Sequence, residues 1–401
     1  MYRPTQQQTH TQNRHLTMGA VTVSVQLSRF GAPMCLMGMT PTHRTTIVII
    51  GAGYAGIMAA NRIASHPLAT TLTHVRLIST SAHLVERIRL HEALLAEEDP
   101  IRPLSELLNP AVDVITGHAA SIDRRRGVVH LSDGDPVPFD QVVLATGSTG
   151  QAPDGAWPIS QRDDLQPLRD EFVNSSHTRI RVVGGGLTGI ETAAELAEQG
   201  FDIEIVDSGT VGSHLDVRAR KQASHELRRL GCTVIDNHMC QPEPGILTIW
   251  AAGFAPVTVP CDPPVSTSSD GRIVVNRFLR SPDDPRITAV GDCAAPPAPH
   301  LRPSCASALS LGAVAADILI SEVLDAPPPE TGVGYVMRCV SLGRNRGLVE
   351  HVSPDDIPNG SILTGTEARR VKDWVMDRTT QWLIEEAQHS GSYRIVRGPA
   401  Q

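Results

Sequence analysis

The chain has 401 residues, 41% of them apolar, with 35 Lys and Arg against 43 Asp and Glu for a net charge of −8. That length and apolar content suit two or three packed domains and exclude a disordered or fibrous chain. The acidic balance, without a basic run, argues against nucleic acid as a partner, and no stretch of 18 uninterrupted apolar residues marks a membrane span.

Residues 1–44 hold four Arg and no acid, which leaves the remaining chain with 31 basic residues against 43 acidic. The segment superficially fits a transit peptide. An upstream start codon, with Met39 or Met18 as the true start, is the simpler reading, and the segment is expected to be disordered. The seven cysteines stand singly, with no CxxC and no Cys/His ligand spacing. Neither a zinc site nor a disulfide framework is expected, and a reducing cytosol is the simplest compartment.

From Thr46 onward strands and helices alternate. The β-branched run Ile47 to Ile50 ends in glycines and leads into a helical stretch, Ala55 to Ser65, then a strand, Val75 to Ser79. A second unit of the same kind begins at Arg179. It has a strand Ile180 to Val183, glycines, a helix Gly189 to Glu198 and a strand Asp202 to Asp207. Two βαβ units about 130 residues apart predict an α/β chain with two doubly wound, Rossmann-like domains. Pro327, Pro328 and Pro329 open a linker to a small α+β C-terminal domain, where Tyr335 to Leu342 and Gly347 to Val352 read as strands. The expected boundaries are 45–152 and 259–326 for the first domain, 153–258 for the second and 327–401 for the third.

The glycines carry the chemistry. In Gly51-Ala-Gly53-Tyr-Ala-Gly56, Gly51 permits the tight turn, Gly53 admits a pyrophosphate to the backbone, and Gly56 lets helix and strand pack closely. No acid ends the following strand; Ser79 stands there and offers the ribose a hydroxyl. The second motif is Gly184-Gly-Gly186-Leu-Thr-Gly189, with Glu191 two residues on, and its following strand does end in an acid, Asp207. Two such motifs predict two dinucleotides, one fixed and one exchanging. Leu144-Ala-Thr146-Gly147 follows an apolar strand, and Gly291-Asp292 closes a short buried one, where a carboxylate suits a ribityl hydroxyl. Pro303-Ser-Cys305-Ala306 leads into a helix, Ser307 to Ile320, whose N-terminal dipole suits a flavin ring.

The ordered set GAGYAG, LATGST, VVGGGLTGIE, WAAGF and AVGDCA resembles the two-dinucleotide-domain flavoproteins of the pyridine nucleotide-dependent oxidoreductase family. Within it the chain looks most like type II NADH dehydrogenases and apoptosis-inducing-factor-like proteins, over roughly residues 45–390. The resemblance implies FAD on the first unit, held by Gly51, Gly53, Gly56 and Asp292. It implies NAD(P)H on the second, held by Gly184, Gly186 and Gly189, with Glu191 as the acidic residue near the nicotinamide–flavin contact. Residues 57–90 contain no cysteine, so the CxxxxC of the family's disulfide reductases is missing. Quinone-reducing members carry glutamines where this chain has Ala306 and Ser310, which leaves quinone as the acceptor in question.

The expected activity is hydride transfer from NADH, rather than NADPH, to the flavin and on to quinone or another small acceptor. An NADH-responsive redox sensor and a reductase of a small electron-transfer protein are the alternatives. Cys305 lies near the expected flavin face, but no base or resolving thiol is near it in sequence. In the tail, Val371, Trp374, Val375 and Trp382 share a helical face interrupted by Arg378. That face suits either peripheral membrane contact on the inner face of the plasma membrane or packing, and the interruption favours packing. A homodimer is a further expectation.

Overall fold

The computed structural model describes residues 43–174 and 179–399. All but the last two residues of the expected N-terminal extension lie outside them. The first βαβ unit forms as predicted: strand Thr45–Ile50, helix Tyr54–Ala64 and strand Thr73–Ser79. It seeds a six-stranded sheet in the order 280–281, 284–289, 141–144, 45–50, 73–79, 113–116. All neighbours run parallel except the hairpin of 280–281 with 284–289. The strand Thr45–Ile50 sits inside this sheet with Ile47, Val48 and Ile49 wholly enclosed, as its unbroken apolar run demands.

The second unit builds a five-stranded parallel sheet in the order 157–158, 247–250, 179–183, 202–206, 233–235. Its helix is Leu187–Glu198. The short strands Ser148–Thr149 and Ala255–Pro256 pair antiparallel where the chain crosses between the units. A four-stranded sheet of 261–262, 119–123, 128–131 and 137–138 flanks the first unit.

Downstream, Cys305–Val323 is a helix whose composition and length would serve to cross a membrane, although its apolar run is interrupted by serines. It is mostly buried, packed on the fully buried Tyr54–Ala64 helix, so it is a core helix. Strands Met337–Ser341, Gly347–Val352 and Pro358–Thr364 form an antiparallel sheet, followed by the helix Gly365–Gln388. The third of these strands, with its Pro358-Asn-Gly start, carried no readable strand pattern. The C-terminal helix packs inward, through Ala368, Lys372, Met376, Thr379 and Leu383 rather than through the tryptophan face. Trp374 is 53% exposed, while Trp382 lies edge-on to Tyr393 at 5.4 Å. Arg378, the break in the stripe, stacks on Trp382 at 5.3 Å and pairs with Glu385.

Candidate functional site

Because every strand of the second sheet, and all but 280–281 of the first, runs parallel, their carboxyl ends gather at one edge, where open α/β sheets take ligands. At the edge of the six-stranded sheet stand Gly51, Ser79, Thr146–Gly147 and Gly291–Asp292. At the edge of the five-stranded sheet stand Gly184, Asp207 and the Ala251–Gly253 turn.

The two glycine motifs fold as near copies. Gly51 N–H donates to Ile78 O at 2.9 Å, and Gly184 N–H to Val206 O at 2.8 Å. Ala145 N–H donates to Ile50 O at 2.9 Å, and Ala251 N–H to Val183 O at 2.8 Å. Gly51 and Gly184 have φ of +108° and +115°, where an L side chain is strained. A Cβ on Gly56 would lie 1.9 Å from Gly51 O, and one on Gly189 would lie 1.8 Å from Gly184 O. Gly53 and Gly186 differ from these: an added Cβ meets no atom within 4 Å at either. Both precede the first helical residue in extended conformation, with no side-chain cap on the first helix amides. Space beside uncapped amides at a positive helix end is what a pyrophosphate requires. The residues present therefore fit two dinucleotides.

Around the first cradle, Asp292 accepts from Ser148 Oγ at 2.8 Å, and no second donor is bonded to it among the described residues. Ser148 is a contributor that sequence reasoning passed over, although it lies inside LATGST. Arg87 donates to Ser148 O at 3.0 Å and stands 5.7 Å from the Phe254 ring across the crossover. Thr146 Oγ1 donates to Val257 O, and Gly147 O accepts from Val257 N–H, so this pair anchors the crossover strands. Ser79 Oγ is bonded to Ser81 O at 2.7 Å and closes a local turn. Tyr54, the fourth residue of the first motif, is buried with its hydroxyl unpartnered among the described residues. Burial pushes its pKa well above the ordinary value.

In the second cradle, Asp207 is held by two backbone donors: Gly185 N–H at 2.6 Å and Gly209 N–H at 2.7 Å. No Arg or Lys occurs in residues 208–215. The sole histidine of that loop, His214, has its pKa pushed down to about 4 by burial, then by Arg338 and Arg302, so it is uncharged at neutral pH.

Glu191 sits in the second turn of its helix, because the helix begins at Leu187, two residues before the expected Gly189, and its first turn holds no acid. It is buried in a polar node assembled from four distant segments. Its Oε1 accepts from Ser341 N–H at 2.9 Å and Ser341 Oγ at 3.2 Å, and pairs with Lys372 Nζ at 2.9 Å. Ser341 Oγ lies 3.0 Å from His91 Nε2. Burial alone would raise the Glu191 pKa, but Lys372 and His91 outweigh it and hold the carboxyl below its usual range. Burial would likewise lower Lys372; Glu191 reverses this and keeps the ammonium charged. His91, enclosed against Lys372, is pushed down despite Glu191. Cys305 and Cys339 both neighbour Lys372 electrostatically, yet burial pushes Cys305 up to about 11, leaving a neutral thiol. Lys372 and Ser341 lay beyond sequence reasoning, because nothing in the tail's pattern says which residue turns inward.

The fold and its two cradles define a protein built to hold two dinucleotides at the edges of two parallel sheets. The chain belongs to the pyridine nucleotide-disulphide oxidoreductase family, whose model matches residues 45–309, and the family implies FAD and NAD(P)H as its cofactors. It is 25% identical to the NADH dehydrogenase-like protein YutJ of Bacillus subtilis over 273 residues, covering 63% of this chain and 77% of that one. It is 26% identical to rhodocoxin reductase of Rhodococcus erythropolis over 285 residues, covering 63% and 66%. Among solved structures it resembles NDH2 of Plasmodium falciparum in complex with NADH, with TM-score 0.70 at 13% identity, covering 86% of this chain and 98% of that one. The sulfide:quinone oxidoreductase of Aquifex aeolicus gives TM-score 0.70 at 18% identity, covering 87% and 93%. At those identities the structures support the fold alone.

Proposed function

We propose that this protein is an FAD-dependent NADH oxidoreductase that delivers electrons to a small acceptor such as a quinone. The observation that carries the reading is the duplicated cradle, with a carboxylate suited to a sugar hydroxyl beside each: Asp292 at the first and Asp207 at the second. FAD, when bound, supplies the two-electron chemistry. The protein binds and orients. The amides at the start of Tyr54–Ala64 and Leu187–Glu198 take the pyrophosphates, and Asp292 accepts from a ribityl hydroxyl. Asp207, fixed by two N–H groups, accepts from the adenosine ribose of NADH and repels a 2′-phosphate. With His214 neutral, nothing in the 208–215 loop offsets that repulsion. Glu191 and Lys372 are committed to each other, so they hold the site's shape instead of trading protons with substrate.

A second reading, a reductase of a small electron-carrier protein, draws on relatives named rhodocoxin reductase and rubredoxin-NAD(+) reductase. It also draws on Ser310, which stands where quinone-reducing members carry glutamine and whose hydroxyl is already bonded to Tyr393 Oη at 2.9 Å. Anaerobic titration of the purified protein tests the primary reading, followed by turnover with quinones, ferricyanide, ferredoxin and rubredoxin. Rapid bleaching of bound FAD by NADH and reoxidation by quinone support it; turnover with the protein carriers alone supports the second. A stable reduced complex that no acceptor reoxidises identifies a sensor instead.

A further inference from the structure

Helix Leu187–Glu198 carries Glu191, Glu195 and Glu198, spaced four and three apart and therefore on one face. Each is met by the turn that joins strands Met337–Ser341 and Gly347–Val352. Ser341 takes Glu191, Arg344 Nε donates to Glu195 Oε1 at 2.7 Å, and Arg344 N–H donates to Glu198 Oε2. Gly343 makes the approach possible: its φ is +80°, and a Cβ there would stand 2.6 Å from Glu198 Oε2. Arg346 adds a two-pronged contact to Glu226 of the neighbouring helix, at 2.9 and 2.7 Å. On its other side the same turn reaches the segment that follows the first unit. Arg344 donates to Glu92 O at 3.0 Å, and Arg369 links Gly343 O to Glu92 Oε1 at 3.1 and 2.7 Å.

We infer that this turn sets the second cradle against the first, and that Arg344 is a positioning residue for hydride transfer; the inference rests on the function proposed above. The Arg344–Glu195 pair adds little adhesion, because Arg344 is 43% exposed and only Glu195 is buried. Glu195 is 1% exposed and its Oε2 has no partner among the described residues, so this interface holds its register at a cost in stability. The gripped helix begins at the cradle itself. At about 1.5 Å rise per residue, a tilt of roughly five degrees about Glu195 displaces Gly186 by about 1 Å. A misplacement of that size costs up to about a hundredfold in rate.

The test uses the FAD-loaded full chain. Arg344→Ala and Arg344→Lys are compared with wild type by stopped-flow reduction over a range of NADH concentrations, and by hydrogen exchange without nicotinamide. In Arg344→Ala the limiting rate should fall roughly tenfold or more, while NADH affinity and FAD content stay within about twofold. Exchange should quicken in the 187–198 helix, and Arg344→Lys, which keeps the charge on Glu195, should recover most of the rate. An unchanged limiting rate despite faster exchange would make the turn purely structural and overturn the inference. Should Arg344→Ala not fold, Glu195→Gln removes the carboxylate charge that faces the Arg344 guanidinium and carries the same expectation in direction, with the same overturning result. If wild type itself is not reduced by NADH, the proposed function falls and the positioning role with it, a failure distinct from one confined to the variants.

Discussion

The two dinucleotide cradles share a backbone and differ in what surrounds it. Strand, turn, helix and second strand recur with matching backbone hydrogen bonds at the first glycine, down to glycine carbonyls that would collide with a Cβ at 1.9 and 1.8 Å. The first helix, however, has all eleven residues buried, between its sheet and two later helices. The second presents three glutamates to a turn from the C-terminal region. The first strand pair ends in Ser79, bonded to its own turn, and the second in Asp207, aimed at the glycine loop. Glycine placement thus follows from backbone geometry common to any pyrophosphate cradle. On the proposed function, the residues that would distinguish a fixed from an exchanging dinucleotide lie outside the motif.

The comparison breaks most sharply at the helix–strand contact. Gly56→Ala and Gly189→Ala present the same clash, and overpacking of this kind costs about 1–3 kcal/mol or more. Gly56→Ala should lose FAD and much of the folded protein. Gly189→Ala should keep its yellow colour and lose NADH binding; loss of FAD from both alike would mean that the cradles are not assigned as described.

Acid should act on the second unit through His214, whose folded pKa of about 4 lies below an unfolded value near 6.5. A neutral buried histidine stabilises above the unfolded pKa, and that contribution is lost progressively as pH falls from about 6.5 to about 4. The limit is about 3 kcal/mol, less whatever relaxation the loop allows. His91 adds in the same direction. His214→Gln should flatten the acid limb of a melting-temperature profile; an unaltered limb would remove His214 from the account.

Nicotinamide preference sharpens the contrast between Asp207 and Ser79. One repelled phosphate and one lost hydrogen bond amount to roughly 1.5–3 kcal/mol, tenfold to a hundredfold in kcat/KM for NADH over NADPH. Asp207→Ser should erase that ratio, whereas Ser79→Ala should leave it alone. At the first cradle, Asp292→Ala should lower FAD occupancy more than Ser79→Ala does, because the Ser79 hydroxyl is already spent on Ser81. Smaller still is the expected change in FAD content for Glu191→Gln, which should instead slow flavin reduction by leaving the Lys372 ammonium short of its partner.

Much of this was legible in the sequence. Strand runs, glycine turns and the acid after the second strand are local signals, and both βαβ units formed within a residue or two of expectation. The node of Glu191, Ser341, His91 and Lys372 was not legible, because it joins residues up to 281 positions apart in the chain, and no local pattern encodes that meeting. The C-terminal helix misled for a related reason. Its inward face joins Ala368, Met376 and Leu383 to Lys372, which meets a buried carboxylate, so the apolar stripe of Val371, Trp374 and Val375 lies off the most buried side. Cys305 looked isolated in sequence and gains Lys372 and Cys339 as neighbours in space, yet burial keeps it protonated.

The central claim is that the first cradle holds FAD and the second delivers NADH to it. Anaerobic stopped-flow absorbance of the purified protein at the flavin band tests both parts in one experiment. The account predicts about one FAD per chain, bleached by NADH and at least tenfold more slowly by subsaturating NADPH. Correctly folded protein that carries no flavin, or a flavin that neither nicotinamide reduces, would contradict it.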